Sequence, residues 1–300
     1  MPERVLLIGA SGSIGSHALP ALLNDYQVTV LIRNPDKLPE DIKQKVVVVK
    51  GDLSDKEALI ESLKGVTIVL FSAPTGNKTE ENNEVLKILT ENLKKNSTKE
   101  KPAIFLMTSG LYTGGLSEDH NEEISEENPG KIKSPWDKSS FENALISFQD
   151  ELLQVSILRP AWVYGANSFV DKWLDAAKKD GSVAHLPDRD AWVSFIHISD
   201  LVDLFIIVLK QRATGIYNVS EGSLNAKYFV DEVAKIIGGS LRELKDSDEF
   251  AKEEIIFGFA MKKDFSLRSV SQRAPKLGWK AKHSFIKFVQ DNYGSHAKTE

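Results

Sequence analysis

Three hundred residues allow two packed lobes or one large α/β domain with an appendage, and 38 Lys+Arg against 43 Asp+Glu leave a net charge of −5. With no cationic excess to neutralise phosphates, nucleic acid is not an expected partner. At 41% apolar and 27% charged residues the composition excludes collagen, coiled coil and wholesale disorder, and the lack of any cysteine removes disulfides, thiolate metal sites and cysteine nucleophiles.

Residues 4–9 (RVLLIG) form a continuously apolar run ending at glycine, and Ile14, Ala18, Leu19 and Leu22 follow at helical spacing, so strand, glycine turn and helix are expected in that order. Further strands are expected at 28–33, 45–52, 66–73 and 103–110, with helices at 58–63 and about 81–95. β-Branched runs alternating with helical patterns are the mark of strands covered on both faces by crossover helices, which predicts an α/β fold with a doubly wound parallel sheet. The acidic, polar stretch 117–133 reads as a solvated loop or lid. After it come a helix at about 136–149, one strand at 155–165, a helix at 170–179, a strand at 192–198, a helix at 200–209 capped by Asp200, and a strand at 216–220. The remainder reads as mostly helical, at 226–237 and around 277–293, with the last six residues frayed.

In domain terms, residues 1–165, with 190–222 returning to them, are expected to form the sheet domain, and 166–189 with 223–300 a smaller, mostly helical lobe. No apolar run approaches the ~20 residues of a membrane-crossing helix. The first strand starts too early to leave room for a signal peptide, so the cytosol, or the nucleus, is the expected compartment. No histidine pair has metal-ligand spacing, and no metal is expected.

Gly9, Gly12 and Gly15 space the turn as GxxGxxG where the first strand meets the first helix. A pyrophosphate must approach backbone N–H groups at a helix start closely, which a Cβ would obstruct, so Gly9, Ser11, Gly12, Ser13, Ile14 and Gly15 are candidate dinucleotide-binding residues. The second strand ends at Arg33, with Lys37 shortly after. An acid there would accept a free ribose hydroxyl; Arg33, Lys37 and Ser11 would instead hold a 2′-phosphate, which favours NADP over NAD unless the two cations are simply solvated. Asp52, beside Leu53, would accept from the adenine amino group or cap the following helix, and Ser72, Ala73 and Pro74 end the fourth strand where the cofactor would cross.

Six segments together resemble the short-chain dehydrogenase/reductase superfamily, in its extended and atypical branch of NAD(P)-dependent epimerase/dehydratase-like proteins: GASGSIG, GDLSD, MTSGLY, LRPAWVYG, FIHISDL and GIYNVSEG, in the expected order over nearly the whole chain. The resemblance implies a Rossmann-type fold, a nicotinamide cofactor and, for catalysis, a Ser or Thr followed by a Tyr and a Lys four residues apart. Thr108 and Ser109 fit the first position; Lys138, with Glu142 four residues on, fits the lysine that holds the nicotinamide ribose. The tyrosine position is Ser134, and no Tyr in the chain has Lys four residues after it. An alkyl alcohol is a far weaker acid than a phenol, so Tyr112, Tyr164, a water held by Thr108 or Ser109, or the substrate itself would have to supply the proton.

The resemblance also places Pro160, Ala161, Trp162 and Val163 around the nicotinamide carboxamide, and puts Trp136, Trp162, Trp173 and Trp192 near a substrate cleft, each otherwise a core residue. The function expected on these grounds is hydride transfer between NADP and a small carbonyl, imine or activated double bond, on a substrate of apolar or aromatic character and with no nucleic acid or membrane partner. A non-catalytic dinucleotide sensor and a sugar-nucleotide epimerase or dehydratase are the alternatives. The chain is expected to act as a monomer or homodimer, and His197 is expected to be structural.

Overall fold

The structure is a computed structural model and describes residues 2–74, 79–245 and 256–294; the expected frayed tail, 295–300, lies outside these. The principal sheet contains β1 (Arg4–Ile8), β2 (Gln27–Ile32), β3 (Val47–Lys50), β4 (Ile68–Phe71), β5 (Ala103–Thr108), β7 (Leu153–Pro160) and β11 (Gly215–Val219). Its order is β11-β7-β5-β4-β1-β2-β3, with every pairing from β3 through β7 parallel. The order reverses between β1 and β4, the point at which open α/β sheets leave a crevice beyond their strand ends. This is the expected doubly wound, Rossmann-type sheet. β4 and β5 are buried at every position because IVLF and AIFLMT offer an apolar side chain to both faces.

Two compact units divide the chain. One comprises Met1–Gly110, Lys138–Arg159 and Val202–Tyr217; the other comprises Leu111–Asp137, Pro160–Leu201 and Asn218–Glu300. The second thus takes in residues 111–137, 160–165, 190–201 and 218–222, which the sequence reading leaves with the sheet domain.

In the first unit, helices α1 (Ser13–Leu22), α2 (Glu40–Lys43), α3 (Lys56–Ser62), α4 (Thr79–Lys95) and α5 (Ser139–Ser147) follow the strands. The core gathers Leu6, Ile8, Val69, Phe71, Phe105, Met107, Phe141, Leu145 and Ile157, each large side chain contributing ~1.5–3 kcal/mol when fully buried. α5 begins at Ser139 rather than 136.

The second unit is less helical than expected. It holds a sheet of β8 (Trp162–Tyr164), β10 (Trp192–His197) and β12 (Gly222–Asn225), and two strand pairs: β9 (Ser182–His185) with β13 (Ser240–Glu243), and β6 (Glu123–Ile124) with β14 (Arg268–Ser269). The single strand expected at 155–165 is therefore two, β7 and β8, in different sheets. Helices α6 (Phe169–Asp180), α7 (Ile198–Gln211), α8 (Ala226–Ile237) and α9 (Phe285–Tyr293) complete the element order. Ser168 and Asp171 form a capping box on α6, and Gly181 ends it in the left-handed region at φ 62°. An aromatic core packs beneath: Phe195 stacks on Phe285 at 4.2 Å, and Trp173 and Phe229 meet edge to face at 6.0 Å. Trp173 is wholly buried, with its indole N–H on Ala184 O, so it is core and not a cleft residue.

The stretch 117–133 is tied down rather than solvated throughout. Glu126 accepts backbone N–H groups of Asn218, Gln272 and Arg273, and Glu127 pairs with Arg273 at 2.8 Å. Asp200 does not cap α7; it lies in the first turn, fully buried, and accepts from Lys282 N, His283 N and His283 Nδ1, each at 3.0 Å. His197 accepts from Ser199 N and stacks on His283 at 3.9 Å, a structural arrangement as expected. No helix among the described residues is long and apolar enough to cross a membrane.

Candidate functional site

The first unit brings the glycine turn against the end of β4. Gly9 has φ 95°, and a Cβ there would stand 2.5 Å from Ser72 O. A Cβ on Gly15 would fall inside contact with the Gly9 carbonyl. Both glycines are thus needed for backbone to lie directly on backbone. Gly12 is the N-cap of α1, donates to Gly9 O at 2.9 Å and supplies no side-chain cap, so the first N–H groups of the helix, from Ser13 and Ile14, are left to an outside acceptor. Two hydroxyls at the same strand ends are buried and have no hydrogen-bond partner among the described residues: Ser72 Oγ after β4 and Thr108 Oγ1 at the end of β5. Buried hydroxyls are rarely left unpaired in a complete site. Ser109 follows Thr108, 7% exposed, with its N–H on Leu158 O at 2.8 Å.

Beyond β2, Arg33 and Lys37 are exposed, and their side chains make no hydrogen bond or ion pair among the described residues; the Lys37 N–H donates to Asn34 O at 3.2 Å. Arg33 still helps, after the Ser54 hydrogen bonds, to hold the Asp52 carboxyl below the usual carboxylate range. Asp52 Oδ1 accepts from Ser54 N and Oγ at 2.9 and 2.6 Å, whereas the cap of α3 is Asp55, through Ala58 N. The cap alternative for Asp52 is therefore set aside. Leu53 packs partly buried on the core, Ala73 lies beside Gly9, and Pro74 follows it, exposed.

Lys138 is the N-cap of α5 and its carbonyl accepts from Phe141 N and Glu142 N. Glu142 is 1% exposed and gripped by Arg159 of β7 through Nε at 3.1 and 3.2 Å and Nη2 at 2.5 Å. Such a fork fixes α5 on β7. Sequence reasoning used Glu142 only to mark Lys138 and missed this partnership; an acid on the helix and an Arg ending the next strand were its only trace.

In the second unit Tyr112, Trp136, Trp162 and Phe265 cluster. Tyr112 and Trp136 meet at 5.0 Å, Trp136 and Phe265 at 4.8 Å, and Tyr112 and Trp162 at 6.2 Å. Trp162 Nε1 donates to the Tyr112 hydroxyl, which donates to Phe265 O, both at 3.2 Å. Burial raises the Tyr112 phenol above its ordinary range, and its proton is already committed. Tyr164 is likewise committed, to Glu221 Oε2 at 2.6 Å, and is fully buried. Ser134 is 3% exposed and its Oγ accepts from Trp136 N, closing a turn. Trp192 stands apart, under Arg268 at 4.8 Å and bonded to Asn121. Ala161 N donates to Val219 O, and Val163 O accepts from Ser168 Oγ, so after Pro160 the backbone turns tightly from one strand into the next.

A family model described as NAD dependent epimerase/dehydratase matches residues 5–220. The chain belongs to this family. Among curated relatives, an uncharacterized protein of Saccharomyces cerevisiae, YLL056C, is 26% identical and aligned over 97% of this chain and 99% of its own. The N-acetyl-alpha-D-glucosaminyl-diphospho-ditrans,octacis-undecaprenol 4-epimerase of Escherichia coli O157:H7 is 25% identical over 78% of this chain and 72% of its own. Among solved structures, the dTDP-glucose 4,6-dehydratase of Bacillus anthracis, in complex with NAD, superposes with a TM-score of 0.76 at 17% identity, covering 96% of this chain and 94% of that one. Of the two phenols named as candidate acids, Tyr112 donates to Phe265 O and Tyr164 to Glu221 Oε2.

Proposed function

We propose that the protein is a nicotinamide-dependent oxidoreductase acting at a carbon that alternates between alcohol and carbonyl. The observation that carries the reading is the cradle: Gly9 packed on the Ser72 carbonyl, a helix start without a side-chain cap, and buried hydroxyls on Ser72 and Thr108 that have no partner among the described residues. These features fit a dinucleotide, whose phosphates suit bare N–H groups. Gly9, Ser11, Gly12, Ser13, Ile14 and Gly15 would hold the pyrophosphate, Asp52 and Leu53 the adenine, Ser72, Ala73 and Pro74 the middle of the cofactor, Lys138 the nicotinamide ribose, and Pro160, Ala161, Trp162 and Val163 the carboxamide. Once bound, the nicotinamide accepts or returns a hydride. Thr108 and Ser109 would orient the substrate oxygen, and orientation alone removes much of a barrier. Arg33 and Lys37, cations without ion pairs among the described residues, support NADP; NAD is the alternative, favoured by the NAD complex of the similar dehydratase.

For the substrate, the relatives support a sugar nucleotide or sugar diphosphate better than the small carbonyl, imine or activated double bond expected from the motifs. Incubation with NADP and NADPH against UDP- and dTDP-hexoses, and separately against aldehydes and enones, with absorbance and product chromatography as readouts, decides between them. Turnover in either set supports the redox reading. Tight cofactor binding with no turnover in both sets would replace it with a dinucleotide sensor.

A further inference from the structure

We infer that the second unit carries a ligand site of its own, a cleft that takes the phosphate group of a small phosphate monoester between Ser269 and Lys280. The cleft holds about 510 Å³ and lies between β14, the turn at 220–221 and residues 279–281, all within that unit. None of its lining residues belongs to the glycine cradle, so the inference goes beyond the cofactor reading and does not rest on it. A space of this size takes a molecule of sugar-phosphate dimensions rather than a bare ion.

What the cleft offers a ligand follows from its polar groups. The hydroxyls of Ser220, Ser223, Ser269 and Ser271 line it, and each has a single proton to donate. Ser220 donates to Gly222 O at 3.0 Å and Ser271 to Ser220 O at 3.4 Å. Ser194, which touches Ser223, donates to Leu267 O, so in the 2.8 Å contact between these two serines the proton comes from Ser223. Ser269 Oγ alone of the four has no partner among the described residues, although Ser269 is only 3% exposed. Its backbone N–H, held by Ser194 Oγ and Ser223 Oγ at 3.1 Å each, fixes the strand that carries it. The charges divide in the same way. Arg268 pairs with Glu123 at 3.0 Å and lies over the Trp192 ring at 4.8 Å, and the Glu221 carboxylate accepts from Tyr164 and from Phe285 N. Lys280 is exposed, and its ammonium makes no hydrogen bond or ion pair among the described residues. An orphaned hydroxyl and an unpaired ammonium lining one cleft suit an oxyanion, to which both donate and whose charge the ammonium offsets. Residues 268–282 hold five cations and no acid in a chain of net charge −5, and that local field favours a phosphate dianion over a single carboxylate.

The test titrates 15N-labelled protein with inorganic phosphate and glucose 1-phosphate, and with glucose and succinate as controls. Both phosphates are expected to shift the backbone amide resonances of Ser269 and Ser271 saturably, glucose 1-phosphate at the lower concentration, while glucose and succinate leave them in place. Phosphate taken up by the cradle is read separately, at the amides of Gly12, Ser13 and Ile14. Lys280→Gln and Ser269→Ala should each weaken glucose 1-phosphate binding roughly tenfold to a hundredfold, the loss of one charge-assisted hydrogen bond. Ser269→Ala removes a hydroxyl that bonds nothing in the ligand-free protein, so without ligand its melting temperature should match or exceed that of wild type. A lowered melting temperature would make the hydroxyl structural and overturn its role. Undiminished affinity in either variant, equal shifts with succinate, or no shift at Ser269 and Ser271 with either phosphate up to about 10 mM would overturn the site.

Discussion

Gly9 combines φ 95° with a Cα facing the Ser72 carbonyl, so Gly9→Ala forces both a left-handed alanine and a backbone clash. A destabilisation of about 1–3 kcal/mol is expected from the backbone conformation alone, read as a lowered denaturant midpoint, together with loss of dinucleotide binding. Arg33→Asp should weaken NADP binding roughly tenfold to a hundredfold, the ~1.5–3 kcal/mol of a charge-assisted hydrogen bond, while NAD affinity holds or rises; equal losses for the two cofactors in titration calorimetry would mean Arg33 does not read the 2′-phosphate. Arg159→Met leaves Glu142 buried without its partner and should cost about 3–5 kcal/mol in equilibrium unfolding. The glycine turn was legible in the sequence because its requirements are local: a strand, three glycines and a helix follow one another without a break between Arg4 and Leu22. Arg159 with Glu142 was not, since nothing at 17 residues' separation marks one charge as the other's partner. The same holds for Tyr112 and Tyr164, candidate acids whose protons go to Phe265 O and Glu221, groups that only folding brings near.

At the scale of elements, α9 begins without a side-chain cap of its own, and Glu221 supplies one from a distance by accepting Phe285 N at 2.6 Å while it also accepts from Tyr164. Burial pushes the Glu221 carboxyl up to about 7, against 4.5 when solvated, with Asp200 adding to the rise and the two hydrogen bonds and His283 opposing it. A carboxyl held above its unfolded value binds its proton more tightly when folded, so stability increases as pH falls through about 7 and the gain is complete near 4.5. The complete contribution is on the order of 3 kcal/mol and should appear as a higher melting temperature at pH 5.5 than at pH 8. Glu221→Gln should flatten that difference; an unchanged slope would show that another group titrates. Neither this cap nor the β9 and β13 pair was visible in the sequence. SVAH and SLRE are short and largely unpatterned, and they pair across 58 positions, Ser182 with Ser240. The strands of the principal sheet announced themselves because burial on both faces demands unbroken apolar runs.

For the molecule as a whole, one chain carries a Rossmann-type unit whose strand order and glycine turn suit a dinucleotide, and a second unit with its own aromatic core and the cluster of Tyr112, Trp136, Trp162 and Phe265. The fold class was readable from alternating runs, whereas the division into units was not, because the second is assembled from three separated stretches of chain. A ligand that binds only the folded state at about a hundred times its Kd adds ~2.7 kcal/mol, which for units of this size raises the melting temperature by roughly 5–10 °C. The central claim, that the glycine cradle with Arg33 holds a phosphorylated nicotinamide dinucleotide, is tested most directly by fluorescence titration of the wild-type protein with NADPH and with NADH. The account predicts saturable binding of both that is at least about tenfold tighter for NADPH and is abolished by Gly9→Ala; binding of neither would contradict it.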